Sequence, residues 1–320
     1  MNRRNLLIRA GTLVAVVGGA WWAREHLLWP DPKLAFADGK ASAWMPYARR
    51  ANVPTIRARI GGRDVVALVD TGAQYSVIDR RLVAALPAND RKMFEMPLVA
   101  YGVGGGTQMG RGTTLVIELA GLAISGLRAA ILDLGPLATA EGLDAPLIIG
   151  RDVLGQAVLA IDPGRKHVRL IERASFVPPP DLATTAVRRD GSALVAEISV
   201  EGAVLEAVID TGASSMLALD MASARAAGLM DGRPSVTGSS LVLGGAMDAE
   251  VVTARTVTFA EQLYERVRVG VFDQSSLPTF PAALIGMEAF VGRRVAFDIG
   301  QGALHVSRRL DLTIGGPAEP

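Results

Sequence analysis

Apolar and polar positions along this chain fall mostly into a period of two, the spacing of half-buried strands. Thr55-Ile56-Arg57-Ala58-Arg59-Ile60 alternates, Gly61-Gly62 supplies a hairpin turn, and Asp64 to Val69 reads as the return strand. The arrangement recurs at Leu194 to Val200, with a turn at Glu201-Gly202 and a return strand from Val204 to Ile209. Both return strands end in an apolar run that delivers a carboxylate, a hydroxyl and a glycine. These are Leu68-Val69-Asp70-Thr71-Gly72-Ala73 and Val208-Ile209-Asp210-Thr211-Gly212-Ala213. The glycine lets the backbone bend back where a side chain would block it. After each copy a short strand (Tyr75 to Ile78; Met216 to Leu219) leads into a short helix (Arg80 to Leu86; Met221 to Gly228).

The copies lie 140 residues apart (210 − 70), and the offset holds along the chain. Ile60 aligns with Val200, Gly62 with Gly202, Ala67 with Ala207, and Gly104-Gly105 with Gly244-Gly245. With a slip of four, Leu147-Ile148-Ile149-Gly150 pairs with Ala283-Leu284-Ile285-Gly286. Val158 to Asp162 likewise pairs with Arg294 to Asp298. A period this long describes two homologous lobes rather than a solenoid.

An apolar pair leading into Asp-Thr-Gly-Ala resembles the aspartic peptidases in their retroviral-type spelling. Ile148-Ile149-Gly150 and Leu284-Ile285-Gly286 are similar to the second signature of that superfamily. The run Gly102-Val103-Gly104-Gly105-Gly106 stands where these proteins carry the flap hairpin, with Tyr101 just before it as a candidate substrate-facing aromatic. The resemblance covers residues 50 to 308 and is greatest to bilobal bacterial retropepsin-like proteases. It implies an all-β (mostly β) fold of two acid-protease-like lobes, each with an Asp-Thr-Gly turn and a psi loop, with the active site at the lobe interface. It implies Asp70 and Asp210 as the catalytic pair. Thr71 and Thr211 would hydrogen-bond across the interface, while Gly72 and Gly212 would donate backbone N–H groups to the carboxylates. Ile149, Gly150, Ile285 and Gly286 would hold the turns from behind. One position departs from the pattern: Gln74 and Ser214 stand where retroviral enzymes usually have a second Asp. Ala73 and Ala213 replace the hydroxyl residue frequent in pepsin-like enzymes, which implies a working pH closer to neutral.

Two carboxylates brought together cannot both ionise easily, so one pKa rises and the pair shares a proton. The ionised member can take a proton from water while the protonated one polarises a peptide carbonyl. The implied activity is therefore aspartic endopeptidase, with a polypeptide substrate and no cofactor or metal. The alternative is a catalytically silent peptide- or protein-binding module that keeps the fold. Both Asp-Thr-Gly triplets are intact, which favours the enzyme. Glycine is denser in the segment Tyr101 to Gly112 than in its counterpart, which has Gly244 and Gly245 after Gly238, so the first flap is expected to be the main mobile cover.

Residues 1–30 read as an export signal or signal anchor: Arg3-Arg4 precede apolar residues, and Ala10 to Ala23 is almost wholly apolar. Trp21-Trp22 occupy the place of a cleavage site and suit a retained inner-membrane anchor instead, so both outcomes stay open. Either one places the bulk of the chain in the periplasm. Residues 31–50 read as a tether or edge strand, 51–175 as the N-terminal lobe, 183–310 as the C-terminal lobe and 311–320 as a loose tail. Between the lobes, 176–182 (Phe176 to Asp181, with three consecutive prolines, and Leu182) reads as the linker.

Composition closes several other routes. There is no cysteine, hence no thiol nucleophile, disulfide or cysteine metal site. The three histidines, His26, His167 and His305, stand in no ligand spacing; His167 and His305 read as half-exposed structural residues late in the last strands. Asp152, Asp162 and Asp298 read as turn or surface carboxylates. A net charge of +1 with interspersed signs offers no face for nucleic acid. With both lobes on one chain, a monomer suffices.

Overall fold

The computed structural model describes residues 30–101, 107–140, 142–242, 245–272 and 281–308. The leader, the tail after 308 and Gly102, Gly104, Gly105 and Gly106 lie outside the described residues. The described chain is mostly β, with helices no longer than six residues: α1 (Arg80–Ala85), α2 (Arg151–Leu154) and α3 (Met221–Ala226). Among the described residues no helix is long and apolar enough to cross a membrane.

In each lobe a strand ending in Asp-Thr-Gly lies at the centre of a sheet. In the first, Arg63–Val69 pairs antiparallel with Thr55–Ile60 on one side and parallel with Leu147–Ile149 on the other. In the second, Ala203–Ile209 pairs antiparallel with Ala193–Val200 and parallel with Ala283–Ile285. The parallel neighbour is then paired antiparallel by the short strand after the turn, Val77–Asp79 or Leu217–Asp220. This crossed arrangement buries the apolar runs on both faces. Ala67, Val69, Leu147 and Ile149 enter one core; Leu68, Val77 and Ile148 enter a second, on the opposite face.

A six-stranded sheet joins the lobes. Its centre is the antiparallel pair Ala157–Asp162 and Val295–Asp298, in register Leu159↔Phe297, Ala160↔Ala296 and Ile161↔Val295. These are the segments that the slipped repeat matches, so a local twofold passes near Ala160 and Ala296. One buried apolar cluster runs from the first lobe through this sheet into the second.

The outer hairpins are Lys92–Tyr101 with Thr107–Leu119, and Ser235–Val242 with Gly245–Phe259. Each lobe therefore carries an outer hairpin. The two differ in build. The first has a register shift between Phe94 and Leu98, whereas the second pairs without a shift from Ser235↔Val252 to Val242↔Gly245. The second hairpin also packs against the first-lobe 3-10 turn Gly135–Ala138, across the interface.

Several sequence expectations need correction. Leu182 is not linker: Leu182–Thr185 is a strand that extends the joining sheet by pairing with Ala303–Ser307. The proline run ends before it, so ladder donors are available again. Within 31–50, read as a tether or edge strand, Lys33–Phe36 is an edge strand on Leu122–Ser125, and Met45–Pro46 an edge strand of the joining sheet. His167 begins its strand rather than ending it, and His305 is buried in the middle of its own, bonded to Thr184 Oγ1 at 3.1 Å. Asp152 and Asp298 are buried, not surface groups. Asp298 accepts from Arg173 Nε at 2.9 Å, linking the two lobes where the sheet joins them.

Candidate active site

The two Asp-Thr-Gly turns meet face to face. Thr71 N–H donates to Thr211 Oγ1 at 3.0 Å and Thr211 N–H to Thr71 Oγ1 at 3.0 Å. Each hydroxyl donates onward to the strand of the other lobe, Thr71 to Ile209 O at 2.9 Å and Thr211 to Val69 O at 2.7 Å. Four hydrogen bonds thus form a closed, twofold-related set with no water access, since Thr71 and Thr211 are buried.

Beside this lock stand Asp70 and Asp210, both half-buried, each with its carboxyl against the opposite turn. The glycines explain how they come so close. A Cβ on Gly72 would lie 2.6 Å from Asp210 Cγ, and a Cβ on Gly212 would lie 2.7 Å from Asp70 Cγ. Each carboxylate therefore occupies the space that the opposite glycine leaves open. Gly72 N–H donates to Asp70 Oδ1 at 2.7 Å, and Gly212 N–H to Asp210 Oδ1 at 2.7 Å. Asp70 Oδ1 also accepts from Ala73 N–H at 3.2 Å.

The carboxyl of Asp210 is held well above the ordinary carboxylate range, first by desolvation, then by the charge of Asp70 and the hydrogen bond to it. The Gly212 N–H and the Arg151 charge pull in the opposite direction and do not prevail. One proton held between two carboxyls is what these forces favour.

Behind the turns, Asp70 N–H donates to Ile149 O at 3.0 Å and Asp210 N–H to Ile285 O at 2.8 Å. Gly150 and Gly286 sit against backbone: a Cβ would meet Tyr75 C at 2.7 Å or Ser215 O at 2.2 Å. These are glycine positions by close approach, not by dihedral. Tyr101 ends the first strand of its hairpin.

The repeat comparison missed three supporting groups. Asp152 accepts from Ser76 N–H at 3.0 Å and from Ser76 Oγ at 2.8 Å, and Ser76 Oγ accepts from Gly150 N–H at 3.1 Å. In the second lobe Glu288 takes the same part, accepting from Met216 N–H at 3.1 Å. The acid two residues after each glycine was the available signal. The third is Arg151, whose Nη1 donates to Thr71 O at 2.7 Å and Gly72 O at 3.2 Å.

A family model described as aspartyl protease matches the chain twice, over residues 56–153 and 196–289. The chain belongs to the aspartyl protease family. The doubled match has one copy per lobe, as in a bilobal retropepsin-like protein. A comparison with curated proteins found no match. Within this aspartyl protease fold, the two turns at the interface provide paired carboxyls, backbone donors and a buried lock. Such a set suits proton transfer to and from a substrate without a metal or cofactor.

Proposed function

We propose that the protein is an aspartic endopeptidase, with Asp70 and Asp210 as its catalytic residues. The observation that carries this reading is the meeting of two carboxyls from equivalent positions of two lobes, each seated against the glycine of the opposite turn. An ordinary turn carboxylate has no reason to face its duplicate. Here both glycines make room for the opposite carboxyl, and both threonines fix the separation.

The reaction uses the pair as one acid–base unit. The ionised carboxylate takes a proton from a water whose oxygen attacks the peptide carbonyl carbon. The protonated partner gives its proton to the carbonyl oxygen. When the tetrahedral species collapses, the C–N bond breaks and the nitrogen receives a proton from the pair. No covalent intermediate forms. By the family resemblance, the outer hairpins would cover an extended polypeptide and exclude water from the developing charge.

Asp70→Asn and Asp210→Asn should each abolish hydrolysis of a mixed peptide library, because Asn has nearly the shape of Asp but cannot exchange protons. The single losses should be far from additive, since either disables the same unit. A wild-type protein inert from acidic to neutral pH would leave the binding-module reading in its place. The basic, apolar leader supports export and either release into the periplasm or retention at the inner membrane. Cell fractionation that recovers the full chain in the soluble cytoplasm would sink that part.

A further inference from the structure

The site has a near-twofold axis, but one cation breaks it. Arg151 directly follows Gly150, and the residue directly after Gly286 is Met287. The guanidinium hydrogen-bonds to the first turn and not to the second, although its charge also acts on Asp210. Its bonds to Thr71 O and Gly72 O cap two peptide groups whose N–H ends, at Gly72 and Ala73, both donate to Asp70 Oδ1. A cation at the carbonyl end of a peptide draws electron density from the N–H end and strengthens the bond it donates. The charge of Arg151 is thus passed to Asp70 through two peptides at once. In the second turn the Gly212 N–H serves Asp210 Oδ1, but the Ala213 N–H goes to the Asp210 backbone carbonyl at 3.4 Å. There Met287 supplies only its backbone N–H, to Ala213 O at 2.8 Å.

We propose that Arg151 is the positioning residue that gives the dyad its direction, selecting Asp70 as the ionised member and leaving the shared proton on Asp210. The proposal deepens the endopeptidase reading and rests on it for its catalytic meaning. Asp70 then takes the proton from water as the oxygen attacks, while Asp210 protonates the carbonyl oxygen. On collapse Asp70 returns its proton to the leaving nitrogen, and Asp210 recovers its own from the hydroxyl of the tetrahedral species.

The other charges around Arg151 do not compete for this role. Asp152, its neighbour on α2, is engaged by Ser76 and by its own helix start at Val153 N–H. Arg151 Nε donates to Ser192 Oγ at 2.9 Å, from the second-lobe hairpin 188–195. On that hairpin Asp190 is paired with Arg188 at 3.5 Å, and Arg189 bonds to Gly300 O and Gly191 O. Burial lowers the proton affinity of the guanidinium, and Asp70, Asp210 and Asp152 act to restore it. An arginine stays charged under such opposition, as lysine would not be certain to.

The test is a carboxyl titration by NMR on the full chain in detergent, labelled with 13C at aspartate side-chain carboxyls. The two resonances are identified by their loss in Asp70→Asn and Asp210→Asn. In wild type, Asp70 should follow the lower step and Asp210 the upper. Arg151→Met, which copies the second lobe, should raise the proton affinity of the lower step about tenfold, the low end for removing a nearby opposite charge. It should also spread that step over both resonances. Arg151→Lys, which keeps the charge but not the forked contact, should give a smaller change of the same sign. If Arg151→Met does not fold, Arg151→Lys decides alone. Ser192→Ala should lower the melting temperature without altering the order of the steps.

Equal participation of both resonances in wild type would overturn the proposal. So would a lower step whose position and assignment stay unchanged in Arg151→Met, or in Arg151→Lys where the Met variant does not fold, even with a lowered melting temperature, because that is all a structural role would give. Peptide hydrolysis measured on the same samples separates the two readings. Ordered titration in an inert protein sinks the enzyme but keeps the direction; equal titration in an active one does the reverse.

Discussion

Replacing Thr71 by Val tests whether the interlobe lock holds the site together. Valine has the shape of threonine, so no cavity opens and the loss is one of hydrogen bonding alone. Two of the four bonds disappear: Thr71 Oγ1 to Ile209 O, and Thr211 N–H to Thr71 Oγ1. That strands a buried carbonyl and a buried amide, each costing about 1–3 kcal/mol when left without a partner. The sum is about 2–6 kcal/mol, and partial relaxation of the turn puts the expected loss near ~3 kcal/mol. Against a typical total of about 5–15 kcal/mol, that is a large share. Thr71→Ser keeps both bonds and removes a methyl, so it should cost only about 1 kcal/mol. Thr211→Val should match Thr71→Val, because its two bonds are the mirror set at 2.7 and 3.0 Å. Urea unfolding followed by far-UV circular dichroism gives the midpoints and slopes. Val at position 71 costing no more than Ser would refute the assignment of interlobe stability to these hydroxyls. A split of the single transition into two would instead show the lobes unfolding separately once unlocked.

Asp210→Asn should stabilise the protein near neutral pH. The folded-state affinity of Asp210 for its proton is raised, chiefly by desolvation, so ionising it opposes folding once the pH exceeds its unfolded value of 3.8. The gain over wild type should therefore grow above that pH and vanish below it; thermal melts at pH 3 and pH 7 that differ equally between the two proteins would contradict this. Gly286→Ala should be more damaging than Gly150→Ala, because its Cβ would stand 2.2 Å from a backbone oxygen against 2.7 Å from a backbone carbon. Melting temperatures in the reverse order would count against close approach as the reason for glycine there. Glu201 is drawn down to about 2 from 4.5, first by its hydrogen bond to Arg233 and also by the backbone N–H and side chain of Arg255. Its depressed value means stability present above about pH 4.5 and lost as pH falls towards 2, so Glu201→Gln should cost about 1–3 kcal/mol at pH 7 and almost nothing at pH 2. A loss that persists at pH 2 would assign the effect to packing.

What the sequence made legible is what only one residue type can satisfy. Gly72, Gly212, Gly150 and Gly286 each face an atom that a Cβ would strike, so the repeat preserves them in place. Thr71, Thr211, Asp70 and Asp210 are tied to positions that the 140-residue offset predicts. The less legible parts are those where either copy could solve the same problem differently. Asp152 and Glu288 both brace the strand after the turn through a backbone amide, Asp152 with the Ser76 hydroxyl as well. Their different lengths and the slip of four hide the kinship. The strand Leu182–Thr185 is hidden by the prolines beside it, because its pairing depends on Ala303–Ser307, far along the chain. Glycine content distinguishes the two outer hairpins in the sequence, while strand pairing gives one to each lobe.

Matching the two lobes finds what they have in common and is blind to what sets them apart. Symmetry explains why two carboxyls meet; it also makes them equivalent, and a proton shared between equivalent groups has no preferred side. A site assembled from two copies of one short chain would carry its arginine in both halves. Here both halves are on one chain, so Arg151 can stand in the first and Met287 in the second. The same freedom gives Asp70 two backbone donors to Oδ1 where Asp210 has one, and gives one hairpin a register shift that the other lacks. A fused pair of lobes can thus keep the lock that needs symmetry, Thr71 with Thr211, while fixing the direction of proton transfer with a residue that breaks it.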